Sequence, residues 1–471
     1  MKELRGHIRS VLIGFIVLFL VLGGYIGYSI TTNGTRWFVS AYNPVLKQQK
    51  QNVKAGSILD RNYIVLAQSD DNGERTYSSN ATVRKAMSHT VGDPYGIAAA
   101  GIESFHAKYL LGFSGNIFER IYQSITMEKR TGDNVVCTVD SKLAAYAYEK
   151  MGDTSGAVVV MNYKTGEILA SVSKPGFDPK TIKQPSEQTD TESSHLVNRA
   201  TMGKYTPGSV FKLVTAAAVL EYKPELANKT YTCAGTLDYG EEGKVTCAHG
   251  AVHGELNLDG AVTKSCNCVF AQIAEDLGRN NLKKMAEKLG YNEDFLFDDL
   301  IVYQSSYDLS DARDIDYAWS SVGQFKDTAS PLHVCMITSA IANDGVMMEP
   351  KLVKSVMNYR NFEYIKMSSN TFKRCMSQQT AQQLQEMMVN VVKKGTGKAA
   401  AVKGVTVAGK TGTAEVSDSK TQKPHAWFTG FIQDPEHPYA IVVMIENAGG
   451  GGSKAAPIAA AVLKKTMELI G

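Results

Sequence analysis

Ser209 and Lys212 sit in Tyr205-Thr-Pro-Gly-Ser-Val-Phe-Lys212, directly ahead of an apolar run over residues 213–220. Pro207 and Gly208 punctuate the backbone there, so the stretch reads as a turn feeding the start of a buried helix. Residues three apart on a helix share a face. That brings the Ser209 hydroxyl and the Lys212 amine within hydrogen-bond reach. A serine hydroxyl is a poor nucleophile until a base takes its proton. A lysine can be that base only where burial or a neighbouring cation disfavours its charge. The helix start also offers unpaired N–H groups to a developing oxyanion. Taken alone the pair proves little, because Ser171/Lys174 and Ser417/Lys420 repeat the spacing without the setting.

Two later stretches supply what the pair lacks. Ser265-Cys-Asn267 precedes a helical run over residues 269–277. A serine hydroxyl can relay a proton to a leaving amine, and an asparagine amide can hold a substrate carbonyl. The same residues also suit an ordinary helix N-cap, and both readings can hold together. Lys410-Thr-Gly-Thr413 follows the apolar stretch 405–408, which places it on a strand edging a cleft. Lys410 there can bind a substrate carboxylate and bias proton movements, with the Thr411 and Thr413 hydroxyls as partners for the same group. Gly412 leaves room for a ligand to approach the backbone.

The elements around these residues define an α+β chain. Its 471 residues allow two or three domains and a large core, and 21% charged against 44% hydrophobic residues indicates a folded protein. A net charge of +3, without a basic patch carrying interleaved aromatics, argues against nucleic acid as a partner. Lys2, Arg5 and Arg9 precede residues 11–30, an uncharged run long enough to cross a bilayer as a helix. No Ala-x-Ala-type cleavage site closes that run, so it reads as a retained single-pass anchor. The basic flank puts residues 1–10 in the cytoplasm and the bulk of the chain outside. A polar stalk covers residues 31–54. Residues 82–112 carry helical spacing, and residues 134–140 form a strand leading into an amphipathic helix at 142–151. Two apolar runs, 156–162 and 167–172, are joined by Tyr163-Lys-Thr-Gly166 as a hairpin. Residues 175–195 are a polar excursion. Beyond Ser209 the chain reads as mostly helical to about residue 392, strands return at 405–408, 427–432 and 439–446, and a helix at 457–470 closes it. Strands at both ends of a domain with helices between them imply one antiparallel sheet flanked by helices.

The three motifs, in this order, are those of penicillin-binding proteins and serine β-lactamases, with Cys266 where the middle motif usually has Asp. The chain resembles the class B penicillin-binding proteins, membrane-anchored D,D-transpeptidases of bacterial wall synthesis, over nearly its whole length beyond the stalk. Gly56-Ser-Ile-Leu-Asp-Arg61, Gly101-Ile-Glu103 and Asn198-Arg-Ala200 resemble further family stretches. Ala55 and Tyr63 depart from the arginine and glycine common there. The resemblance implies a pedestal or dimerisation domain over residues 31–154 and a transpeptidase domain over 155–471. It implies that Ser209 attacks the D-Ala–D-Ala bond of a peptidoglycan stem peptide with Lys212 as base. The N–H groups of Ser209 and Thr413 would form the oxyanion hole, and a neighbouring stem's amine would resolve the acyl-enzyme. It further implies β-lactams as acylating ligands, no cofactor required by the chemistry, and a SEDS-family glycosyltransferase as membrane partner, since no such domain fits between anchor and catalytic domain. A D,D-carboxypeptidase or a serine β-lactamase shares these motifs. A non-enzymatic wall-synthesis scaffold or β-lactam sensor is the alternative of another class.

Seven cysteines are few for a disulfide scaffold, and an odd number cannot all pair. Cys233, Cys247, His253 and Cys266, spaced Cys-x13-Cys-x5-His-x12-Cys, make a possible structural zinc set. Some class B relatives carry a similar cluster. Such a metal would pin the Ser265 loop. His249 and Cys268 are possible substitutes in the set. A Cys233–Cys247 disulfide or unpaired buried thiols are the competing arrangements. Cys137, Cys335 and Cys375 have no evident partners.

Overall fold

The computed structural model describes residues 2–38, 53–98, 100–113, 130–183, 194–416 and 422–471. Most of the stalk, much of the 175–195 excursion and the Ser417/Lys420 pair lie outside these residues. The apolar amino-terminal run forms one helix, α1 (Lys2–Phe38), longer at both ends than the uncharged run alone. Its segment His7–Ser29 has a mean hydropathy of 2.4, and its large apolar side chains are exposed. Twenty-three residues at 1.5 Å each exceed the hydrocarbon thickness of a bilayer.

A mixed sheet organises the first lobe. Its strands are β1 (Ile58–Leu59), β2 (Val65–Ser69), β3 (Arg75–Tyr77) and β4 (Asn134–Cys137), followed in the chain by helix α3 (Ser141–Lys150). Helix α2 (Ala81–Val91) lies between β3 and β4 and is capped by the Asn80 side chain. Arg75 joins two of the family-like stretches: its Nε donates to Glu103 Oε1 at 2.5 Å and its Nη1 to the Gly56 carbonyl at 2.7 Å. Gly56 has no room for a side chain, since a Cβ there would lie 1.9 Å from the Asp133 carbonyl oxygen. Asp60, fully buried, accepts from the Asn62 and Ile64 amides and the Ser141 hydroxyl.

The second lobe opens with β5 (Gly156–Asn162) and β6 (Ile168–Lys174), the expected hairpin. Asn162 Oδ1 accepts from the Lys164 and Thr165 amides, and Gly166 takes the positive φ that closes the turn. After the nucleophile turn come α4 (Lys212–Tyr222) and four short strands, β7 (Tyr231–Cys233), β8 (Thr236–Asp238), β9 (Lys244–Thr246) and β10 (Gly254–Leu256). Helices α5 (Leu258–Lys264), α6 (Asn267–Leu277) and α7 (Pro331–Ala342) follow, then strands β11 (Val353–Met357) and β12 (Glu363–Lys366) and helix α8 (Gln378–Lys393). The chain closes with β13 (Val407–Ala414), β14 (His425–Ile432), β15 (Tyr439–Ile445) and α9 (Gly451–Ile470).

Strands β13-β14-β15-β5-β6 form an all-antiparallel sheet, so the first and last strands of the lobe meet at its centre. Every residue of β15 is buried, and α7 and α9 pack on these strands, so both faces are covered. This is the expected α+β arrangement. The stretch after Ser209 is less helical than its sequence reads. Strands β7 to β10 have three residues each, too few to display a period of two. Strands β11 and β12 leave the second lobe to extend the first lobe's sheet, in the order β12-β11-β4-β1-β2-β3. That lobe is therefore built from both sides of residue 155. The last helix starts at Gly451, not at Pro457, which lies inside it. Its first turn is pressed on the sheet, because a Cβ on Gly451 would lie 2.1 Å from the Trp427 carbonyl oxygen and 2.3 Å from that of Gly412.

Candidate active site

The nucleophile turn is a 3-10 segment, Gly208–Val210, running into α4. In 3-10 geometry residues three apart eclipse, and Lys212 Nζ lies 3.0 Å from Ser209 Oγ. Gly208 has φ +55, and a Cβ on it would meet the Thr413 carbonyl oxygen at 2.8 Å, so glycine is required on both counts. Ser209 is half-buried while Lys212 has no exposed surface.

Three further oxygens surround the amine. Lys212 Nζ donates to the Ser265 carbonyl at 2.8 Å and lies 3.3 Å from Ser265 Oγ and 2.6 Å from Asn267 Oδ1. Ser265 can face it with both groups because it caps α5 in the left-handed region, at φ 58, an uncommon conformation for a residue with a side chain. Asn267 opens α6 and anchors its amide by donating from Nδ2 to the Thr246 carbonyl at 2.8 Å. From the opposite wall Lys410 Nζ reaches Ser265 Oγ at 2.8 Å and the Thr411 carbonyl at 2.9 Å. One hydroxyl therefore bridges two fully buried lysines. Burial lowers the Lys212 amine to about 8, against a smaller opposing pull from the thiols of Cys266, Cys247 and Cys268. Burial, and then the charge of Lys212, holds Lys410 well below the usual lysine range. Two ammonium groups this close disfavour each other, which leaves an amine free to accept the Ser209 proton. An activated serine beside a proton relay can form and resolve an acyl-enzyme.

A sequence model of the family described as penicillin binding protein transpeptidase domain matches residues 156–464. The chain belongs to this family. It is 30% identical over 398 residues to the peptidoglycan D,D-transpeptidase PbpA of Mycolicibacterium smegmatis, across 79% of this chain and 80% of the relative. Penicillin-binding protein 3 of Bacillus subtilis is 28% identical over 395 residues, which is 79% of this chain and 56% of that protein. Among solved structures, the ceftriaxone acyl-enzyme of penicillin-binding protein A from Mycobacterium tuberculosis superposes with a TM-score of 0.80 at 28% identity, covering 89% of this chain and 99% of that one.

Within this penicillin-binding transpeptidase domain, the strand β13 positions its residues differently from a simple open cleft edge. Thr411 is buried, and its Oγ1 lies 2.6 Å from Thr396 Oγ1. Thr413 is exposed, with its Oγ1 accepting from the Gly451 amide at 3.4 Å. The missing Cβ of Gly412 is used by the nucleophile turn rather than by a ligand: a Cβ there would meet Trp427 Cβ and Val210 Cγ1 at 3.0 Å and the Pro207 carbonyl oxygen at 3.2 Å.

Behind Ser265 the four metal-candidate side chains converge. Cys233, Cys247, His253 and Cys266 have ligand atoms all within 4.8 Å of one another, the one such group among the described residues. Cys247 Sγ lies 3.7 Å from Cys233 Sγ and 3.6 Å from Cys266 Sγ, and Cys233 Sγ lies 3.5 Å from His253 Nδ1. A disulfide needs about 2.05 Å, so Cys233 and Cys247 are not bonded, and all seven cysteines are free. Thiolates about 2.3 Å from a tetrahedral zinc stand about 3.8 Å apart, so the donor set and its spacing fit that ion. Cys247 is the hub: its contacts with Cys266 and Cys268 hold its thiol far below the usual range, and the same contacts raise both of theirs. Cys268 touches Cys247 at 3.5 Å but falls outside the four-atom group, and His249 is exposed. Cys137, Cys335 and Cys375 are buried core thiols.

Sequence reasoning passed over Thr396, Trp427 and Glu446, which hold the motif residues in place. No spacing rule points to them, because each meets its partner only through the folded sheet.

Proposed function

We propose that this chain is a peptidoglycan D,D-transpeptidase that works through an acyl-enzyme on Ser209 and is acylated there by β-lactams. The observation that carries this is the buried Lys212 amine 3.0 Å from Ser209 Oγ, with Ser265 bridging it to Lys410.

Neutral Lys212 takes the Ser209 hydroxyl proton as Oγ attacks the carbonyl carbon between the two D-alanines of a stem peptide. Negative charge gathers on the carbonyl oxygen, where the N–H groups of Ser209 and Thr413 stabilise it. The Ser265 hydroxyl hands a proton to the leaving amine and is recharged from the lysines on either side, so the C–N bond breaks and D-alanine departs. Asn267 holds the substrate amide, and Lys410 with Thr413 receives the terminal carboxylate. A second stem's amine enters by the reverse proton route, forming the cross-link and restoring Ser209. A β-lactam follows the first half, but its ring-opened leaving group stays attached.

Cys233, Cys247, His253 and Cys266 hold a structural zinc, which supplies rigidity to the loop bearing Ser265 and Asn267 and no reacting group. Helix α1 anchors the enzyme with Met1 in the cytoplasm and the catalytic domain outside. There it meets peptidoglycan strands made by a SEDS-family glycosyltransferase in the same membrane.

The test is labelling of the detergent-solubilised full chain with a fluorescent penicillin, comparing wild type with Ser209→Ala. A long-lived adduct on wild type alone is expected. Rapid turnover of the label would make it a β-lactamase, and equal labelling of both proteins would overturn Ser209 as nucleophile.

A further inference from the structure

We propose that Glu446 is a positioning residue for the nucleophile, acting through Tyr205. This rests on Ser209 being the acylated residue. Glu446 directly follows β15, whose last residue, Ile445, pairs with Ala426 on one side and Gly156 on the other. Its own amide donates to the Ser155 carbonyl at 2.8 Å, which continues the pairing of the strand and ties down the backbone that bears the carboxylate. One oxygen, Oε1, accepts from both the Tyr205 hydroxyl at 2.7 Å and Arg199 Nε at 2.9 Å. These donors mark the two ends of the segment that delivers the catalytic turn. Charge-assisted hydrogen bonds are roughly twice as strong as neutral ones.

Arg199 is held in turn by its amide on Ser173 Oγ at 2.9 Å and by Nη1 on the Ser194 carbonyl at 3.1 Å. The Tyr205 ring is fixed edge-on against His425 and Trp427, with centroids 5.5 and 6.4 Å away. Trp427 Nε1 then donates to the Thr206 carbonyl at 3.2 Å, and the Gly208 amide to the Gly323 carbonyl at 2.8 Å. Thus three separate anchors hold the segment that leads to Ser209, at Tyr205, Thr206 and Gly208, and Glu446 supplies the first of them. Burial and the neighbouring carboxylate hold the Tyr205 phenol far above its usual range, so it stays a donor throughout the working pH range. A shift of the nucleophile by a fraction of an ångström changes its distance to Lys212, and reaction rates are steeply sensitive to such misplacement.

The experiment is stopped-flow acylation of the full chain by a fluorescent penicillin, resolving the acylation rate constant k2 from the dissociation constant Kd of the first complex. Tyr205→Phe and Glu446→Ala are each expected to lower k2 by about tenfold with Kd within about twofold, because only alignment is disturbed. Glu446→Gln keeps an acceptor oxygen in place and should restore k2 to within about threefold of wild type. The Tyr205→Phe/Glu446→Ala double variant should be no slower than the worse single one, since Tyr205→Phe breaks only a contact that Glu446→Ala already removes along with that to Arg199. An unchanged k2 in Tyr205→Phe overturns the inference, as does a loss carried by Kd or multiplicative losses in the double variant. If Glu446→Ala does not fold, Tyr205→Phe, which removes one hydroxyl, decides alone. Wild-type protein that takes up no label overturns the transpeptidase reading instead.

Discussion

The two walls of the catalytic cleft are built by different means. Lys410 stands on β13, hydrogen-bonded along eight residues to β14 in a fully covered five-stranded sheet. Ser265 and Asn267 face it from a loop between two helices, backed by three-residue strands that pair only two at a time. Main-chain pairing, with helices packed on both faces, stiffens the first wall. The second has little of it and instead gathers Cys233, Cys247, His253 and Cys266 into one cluster behind the loop. A small region without a sufficient core commonly relies on such a cross-link. The nucleophile turn lies between the walls and draws on both, packing on Gly412 of the sheet and bonding across to Ser265.

The contrast can be broken from either side. The largest effect is expected where the walls meet. Lys212→Ala removes the base and the partner of Ser265 and Asn267 together, and acylation should fall by about 10²–10⁴-fold. The rate of penicillin labelling checks this, with a near-wild-type rate telling against Lys212 as base. On the loop wall, Cys247→Ser removes the hub thiol. Zinc content by mass spectrometry should drop from one equivalent to none, and acylation should slow by about 10–100-fold. Proteolysis should then cut first within residues 231–267, leaving the sheet side intact; uniform cleavage along the chain would erase the proposed distinction. Titration gives a smaller effect. With Lys212 lowered to about 8, the neutral amine is the minor form below that value and the major form above it. Acylation should therefore rise about tenfold from pH 7 to pH 9, with its midpoint near the Lys212 value. A flat profile would assign the proton transfer elsewhere. On the sheet wall, Gly412→Ala should cost about 1–3 kcal/mol through overpacking, read by urea denaturation, while leaving zinc content unchanged.

Much of the sheet wall was legible in the amino-acid sequence. The hairpin of β5 and β6 announces itself by apolar runs around a turn, and the positions of β13, β14 and β15 follow from the same pattern. Their order in the sheet was not legible, since pairing of β15 with β5 joins the ends of the lobe. The loop wall was legible as chemistry but not as structure. The Cys/His spacing named the four donors, yet strands β7 to β10 are too short to show alternation. Strands β11 and β12 were missed for another reason: β11 pairs with β4 of the other lobe, and β12 adds on to β11. Glu446 was invisible, because nothing in its neighbourhood in the sequence says that Tyr205 and Arg199 will meet on one of its oxygens.

The linear order of residues fixes which reactive groups exist and in which local element each sits: a serine and a lysine three apart at a helix start, a Ser-x-Asn before a helix, a lysine on a strand. Those depend on neighbours a few residues away. Tertiary structure alone decided that Lys212 and Lys410 are wholly buried, that Ser265 bridges them, and that Gly412 makes room for the nucleophile turn and not for a ligand. The reason is physical: the reactivity of an amine depends on the solvent and charges around it, and here these are set by residues brought from distant parts of the chain.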